Sequence, residues 1–148
     1  MTIPFPRLAA LAVLLRGSEV LLARRRNPPD AGLWGYPGGH VDAGESVAVA
    51  ALRELREETG VIAEPLRYLG GLDVILPAPG GGWAHHFFLV PVLCRHVAGD
   101  PVPQDDVADA AWFPVARILA RDLEMSVDVD TVLSEALAWK AASPPSRG

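Results

Sequence analysis

The order of elements predicts an α+β fold, a mixed α/β arrangement in which strands and helices are grouped rather than strictly alternated. Three observations carry that expectation. Two aliphatic runs near the start, Leu8–Leu15 and Val20–Ala23, are joined by Arg16-Gly17-Ser18-Glu19 and read as adjacent strands. One strongly periodic helix follows at residues 46–60, and after further apolar, strand-like pieces helical periodicity returns toward the end. With 148 residues, half of them hydrophobic, the chain has material for one core. It reads as one domain over residues 1–142, with 143–148 a flexible tail.

In the first strand the hydrophobic run is nearly continuous, which predicts a strand covered on both faces. It falls well short of the ~18 apolar residues of a membrane span, so no membrane partner is expected. Arg24, Arg25 and Arg26 close the second strand. A solvated strand end is the plainer account, and Arg24 and Arg26 are candidates to meet a substrate phosphate through charge-assisted hydrogen bonds. The run Asn27–His40, NPPDAGLWGYPGGH, is a loop by its proline and glycine content. Trp34 and Tyr36 alternate as the chain enters a short strand, Trp34 being a candidate substrate contact as well as a core residue. Gly38 and Gly39 let the backbone pass close to a ligand, since no side chain obstructs it.

The helix has Ser46 as N-cap, Gly60 just past its end, and Ala48, Ala51, Leu52 and Leu55 as a buried stripe. On its other side Glu54, Glu57 and Glu58 share an arc of about 100°. Helix electrostatics disfavours this. Glu54 and Glu58 are a like-charge i,i+4 pair, and Glu57 and Glu58 stand in the last turn, where the dipole favours cations. A solvated face, with Arg53 paired to Glu57 and Arg56 supplying further compensation, is the plainer account of such a helix taken alone, yet the clustering still asks for a reason. A divalent cation supplies one, because Mg²⁺ and Mn²⁺ select carboxylate oxygens.

The surrounding spacing is more specific still. Gly39, five residues, Glu45, seven residues, Arg53-Glu54-Leu55, one residue, Glu57-Glu58, one residue, Gly60 and Val61 resembles the signature of the Nudix (MutT-like) hydrolases at every defined position. The resemblance covers Leu8 to about Lys140. It implies a curved mixed β-sheet sandwiched between α-helices, with the signature as loop, helix and loop. It implies Glu54, Glu57 and Glu58 as metal ligands for Mg²⁺ or Mn²⁺, completed by the Gly38 carbonyl. Glu57, Glu58 and Arg53 become catalytic candidates, and Glu45 and Arg53 are expected to orient the loop and the ligand carboxylates.

Beyond the helix, Ile62–Leu76 holds one or two strands, and Pro77–Gly82 tips a hairpin returning along Trp83–Cys94. Alternation puts His85 and His86 on opposite faces, with His85 a candidate for substrate hydrogen bonding. Ala98–Pro101 is a turn, Trp112-Phe113-Pro114 a short strand, and Val115–Ala120 and Asp130–Ala142 are helices. Asp105 and Asp106, with Asp109 behind them, are candidates to take a proton from water, against a solvated acidic loop.

A net charge of −5 gives no electrostatic footprint for a nucleic-acid polymer. The single cysteine excludes an intrachain disulfide and leaves reduced cytoplasm as the expected compartment. The runs NPPDAGLWGYPGG and DDVADAAWFP are similar to those of ADP-ribose pyrophosphatase-like members. That similarity implies a small nucleotide substrate, ADP-ribose, cut to AMP and ribose 5-phosphate, and by analogy a homodimer. The alternatives are a (d)NTP pyrophosphohydrolase, oxidised dGTP included, and a noncatalytic nucleotide-binding module.

Overall fold

In a computed structural model, residues 5–142 are described; the expected tail at 143–148 lies outside them. Aliphatic β1 (Arg7–Arg16) and β2 (Glu19–Arg25) form the hairpin that the turn sequence predicts, with Leu15 opposite Val20. That antiparallel pairing involves only Leu15–Arg16 and Val20–Glu19, and beyond it the two strands diverge. The chain then fills the gap it has opened. Strand β3 (Trp34–Gly35) runs along β2, and β4 (Gly38–His40) runs along β1, with Leu11 opposite Gly38 and Ala9 opposite His40.

Helix α1 (Val47–Thr59) follows, then β5 (Ile62–Tyr68), β6 (Leu72–Pro77) and the long β7 (Trp83–Ala98). β7 lies parallel to β1 from Arg7↔Phe87 to Leu15↔Arg95. Its other edge carries β5 and β6 end to end, both antiparallel. β8 (Val107–Pro114) pairs with the outer edge of β2, completing an eight-stranded mixed sheet. α2 (Val115–Leu119) and α3 (Val129–Ala142) close the described chain.

Alternation along the strands explains the layers. Ala10, Ala12 and Leu14 of β1, Leu21 of β2 and Val92 and Cys94 of β7 pack against Ala50, Ala51 and Leu55 of α1. Their neighbours Val13, Leu15, Val20, Leu22 and Leu93 pack against Ile118 of α2 and Val132, Leu133 and Ala136 of α3. Helices therefore cover both faces, which is why β1 reads as an unbroken aliphatic run.

Two strands outrun their expected lengths. β8 begins at Val107 rather than Trp112, because pairing with β2 stabilises an alanine-rich stretch of weak intrinsic strand preference. β7 continues to Ala98, past the expected Cys94, because β5 supplies partners as far as Ile62↔Ala98. On α1 the fully buried positions are Ala50, Ala51, Leu55 and Thr59; Ala48 and Leu52 lie at the margin of the contact. Among the described residues no helix is long and apolar enough to cross a membrane.

Candidate active site

The signature helix is fixed at both ends by its own sequence. Ser46 Oγ accepts from Val49 N at 3.1 Å, and Gly60 ends the helix at φ 74°, a conformation open to glycine without strain. α1 lies across β1 and β4, so its inward carboxylates meet a strand made of glycine. A Cβ on Gly38 would come within 2.2 Å of the Ala10 carbonyl oxygen, and one on Gly39 within 2.6 Å of Glu54 Cδ. The bare backbone at these two positions is what lets β4 pass between β1 and the helix.

Arg53 braces the preceding loop against the helix. Its Nε and Nη2 donate to the two oxygens of Glu45 at 2.7 and 2.9 Å, a bidentate geometry. Nη2 also donates to the His40 carbonyl at 3.0 Å, while Nη1 reaches Glu54 at 2.8 Å and Glu57 at 3.3 Å. The Arg53 hydrogen bonds, with help from the Asp42 backbone N–H, hold the Glu45 carboxyl down at about 2. The same contacts raise the Arg53 guanidinium above its ordinary value. The Arg53–Glu57 pair of a solvated-face reading is thus one contact within a larger brace.

Glu58 points the other way, its Oε2 accepting from Gly38 N at 3.0 Å. Burial, then the charge of Glu54, then that of Asp105 push its carboxyl up to about 8, against the pull of the Gly38 N–H and the Arg25 guanidinium. Glu54, Asp105 and Arg25 thus all bear on Glu58. Among the described residues, no three of His, Cys, Asp or Glu are disposed to grasp a metal ion as they stand. Arg53 draws Glu54 and Glu57 to its own side, leaving Glu58 against Gly38. The donor set still fits a hard dication. A half-buried carboxylate beside a second one needs a proton or a cation to neutralise it, and oxygen ligands are what Mg²⁺ and Mn²⁺ prefer.

Asp105 and Asp106 occupy the tip of a turn closed by Val107 N to Gln104 O at 3.2 Å, with Asp105 at φ 53°. The turn is tied to the helix end through Gln104 N to Glu58 O at 2.9 Å, and to β2 through Arg26 N to Asp106 O at 3.1 Å. Asp105 is the member whose charge bears on Glu58. Asp109 is spent locally, accepting from Ala110 N at 2.8 Å.

The three arginines separate by strand parity. Arg25 shares the α1 face with Leu21 and Ala23 and acts on Glu58, whereas Arg24 lies on the other face, 5.9 Å over the Trp34 ring. Arg26 Nη2 donates to the Val107 carbonyl at 3.4 Å. Arg25 is the residue that sequence reasoning passed over in favour of its two neighbours. Trp34 also meets Phe113 edge to face at 4.7 Å. His85 is exposed and stacks on Phe87 at 5.9 Å, and Phe87 in turn meets His40 of the signature loop at 5.5 Å. His86 stands on the other face against Trp83.

Known proteins resemble this chain over most of its length. NAD-capped RNA hydrolase NudC of Pseudomonas aeruginosa is 37% identical over 131 residues, taking in 80% of this chain and 44% of the relative. The chain therefore spans less than half the length of that relative. An ADP-ribose pyrophosphatase of Methanocaldococcus jannaschii is 26% identical over 135 residues, covering 91% of this chain and 75% of the relative. Among solved structures, the NUDIX domain of Shewanella oneidensis NrtR complexed with ADP ribose superposes with a TM-score of 0.75 at 27% identity, covering 93% of this chain and 90% of that one. The NUDIX domain profile matches residues 5–132, from the first strand through the braced helix and into α3, and the chain belongs to the NUDIX family.

Proposed function

We propose that the protein hydrolyses a nucleoside diphosphate linked to another moiety, with ADP-ribose as substrate and AMP and ribose 5-phosphate as products. The observation that carries this reading is the half-buried Glu58 carboxylate, bonded to Gly38 N beside Glu54 and facing the charges of Arg25 and Asp105. In the reaction a water oxygen bonds to one phosphorus, the P–O bond of the anhydride breaks, and the bridging oxygen leaves with the other phosphate.

Glu54, Glu57, Glu58 and the Gly38 carbonyl would hold Mg²⁺, with Mn²⁺ as a substitute. The bound ion would neutralise nonbridging oxygens and make a water more acidic. The protein's own contributions are positional. Arg53 keeps Glu54 and Glu57 beside the loop that it anchors through Glu45. Gly38 N orients Glu58, Arg25 offers a guanidinium to the diphosphate, and Asp105 accepts the proton of the attacking water.

The ADP-ribose assignment draws support from relatives named for that substrate or solved with it. A second reading, cleavage of the diphosphate of NAD, is favoured by the similarity to proteins named NAD-capped RNA hydrolase. Both substrates present adenosine diphosphate joined to ribose.

A panel of ADP-ribose, NAD, other nucleotide sugars and dNTPs, assayed with and without Mg²⁺, tests the reading by product identity. AMP and ribose 5-phosphate from ADP-ribose as the fastest reaction is the expected result. Fastest release of AMP and a nicotinamide nucleotide favours the second reading, and pyrophosphate from dNTPs the triphosphatase alternative. Tight nucleotide binding with no turnover under either metal would leave a noncatalytic module.

A further inference from the structure

The sheet face turned away from α1 carries a concavity of about 470 Å³, whose lining includes Arg24, Trp34, Arg117, Asp122 and Glu124. Two of its guanidiniums ride on one aromatic pair. Arg24 lies 5.9 Å over Trp34 and Arg117 lies 5.5 Å over Phe113, and those two rings meet edge to face at 4.7 Å. Arg117 is fixed further by donating from Nε to the Asp122 carbonyl at 2.9 Å. A third arginine at the rim, Arg121, is held at φ 58° and paired with Asp130 at 2.9 Å.

Among the described residues neither Arg24 nor Arg117 has a carboxylate within ion-pair distance. What sets the two apart is that both line one concavity and both lie over the same pair of rings. Their orientation over aromatic faces prepays the ordering that binding an anion would otherwise cost. The backbone carbonyls of Asp122 and Glu124 accept from Arg117 and from Trp34 N, and among the described residues their carboxylates enter no ion pair. The lining thus offers forked donors for a phosphate and acceptors for hydroxyl groups.

We propose that this concavity is a site for a phosphorylated sugar, separate from the signature helix, with Arg24 and Arg117 taking the phosphate and Asp122 and Glu124 accepting from the sugar hydroxyls. The volume falls within the range of small-molecule pockets. The site goes beyond the hydrolytic reading and does not depend on it.

The test is calorimetric titration of ribose 5-phosphate into the full chain with divalent ions chelated, alongside inorganic phosphate and ribose. Saturable binding of ribose 5-phosphate is expected, with inorganic phosphate weaker and ribose silent. Arg24→Ala and Arg117→Ala should each weaken binding on the order of tenfold, while Arg95→Ala, on the far strand, should bind as the unaltered chain does. In the unaltered chain the indole N–H resonance of Trp34 should shift on titration, a readout that needs no variant. No saturable heat, an unmoved Trp34 resonance, or equal affinity in the arginine variants would overturn the site. Equal affinity for phosphate and ribose 5-phosphate would overturn the sugar assignment. Arg117→Ala should also leave ADP-ribose turnover within about twofold; a tenfold fall in kcat/KM would place the concavity in the substrate cleft and end its separate standing.

Discussion

Glu58 is bonded through one oxygen to the backbone of Gly38 and raised by burial and by Glu54, so its charged form awaits a partner. Replacing it with glutamine keeps the size of the side chain and removes the charge. Glu58→Gln should lower kcat by about a hundredfold or more in a folded protein, and steady-state kinetics beside a circular dichroism spectrum checks it. Near-normal turnover would remove Glu58 from the machinery. At this scale spacing on one helix announces that Glu54 and Glu58 are close enough for one charge to act on the other, but not that Arg53 takes Glu57 to the loop. The sequence was least informative for Arg24 against Arg25, because the face each one takes depends on how β2 pairs with strands far away in the chain.

Among the elements, α1 was legible almost to the residue, since Ser46 and Gly60 are local stop signals whose physics needs no tertiary partner. β8 was read too short because its alanines become a strand only through β2. The two ends of the helix-and-strand sandwich make separable predictions. Leu55→Ala empties a fully buried position between α1 and the sheet and should cost about 2 to 5 kcal/mol; an unchanged denaturation midpoint would contradict the packing. Gly39→Ala asks the opposite question, because its new methyl would meet the Glu54 carboxylate rather than the core. It should cut kcat by roughly tenfold or more while costing less stability than Leu55→Ala, as read from kinetics and thermal melts together. Wild-type turnover in that variant would show that Glu54 can move without consequence.

For the molecule as a whole, the two shifted carboxyls set opposing responses to pH. Glu45 is lowered from 4.5 to about 2, so its contribution is present above pH 4.5 and fades as the pH falls toward 2. Glu58 is raised from 4.5 to about 8, so the metal-free protein loses stability as the pH climbs through that window. Chelated Glu58→Gln should therefore gain on the unaltered chain by roughly 2 to 4 kcal/mol between pH 5 and pH 8, and added Mg²⁺ should narrow the gap. Denaturant melts at the two pH values decide it, and a constant difference would mean that Glu58 titrates normally. The two-sided cover of β1 was foreseeable from its unbroken aliphatic run and the layered sheet from the family resemblance, whereas the parting of β1 from β2 was not, since nothing local announces that a hairpin will open after two rungs.

That opening makes the wedge between the strands a mechanical relay. β4 is only three residues long, it takes its register from the hydrophobic interior of β1, and its backbone grips an acid on the helix above. Anything that loosens the interior therefore reaches the reacting groups with no flexible joint in between, so wear in the middle of the protein should be felt as blunted chemistry before the chain comes apart.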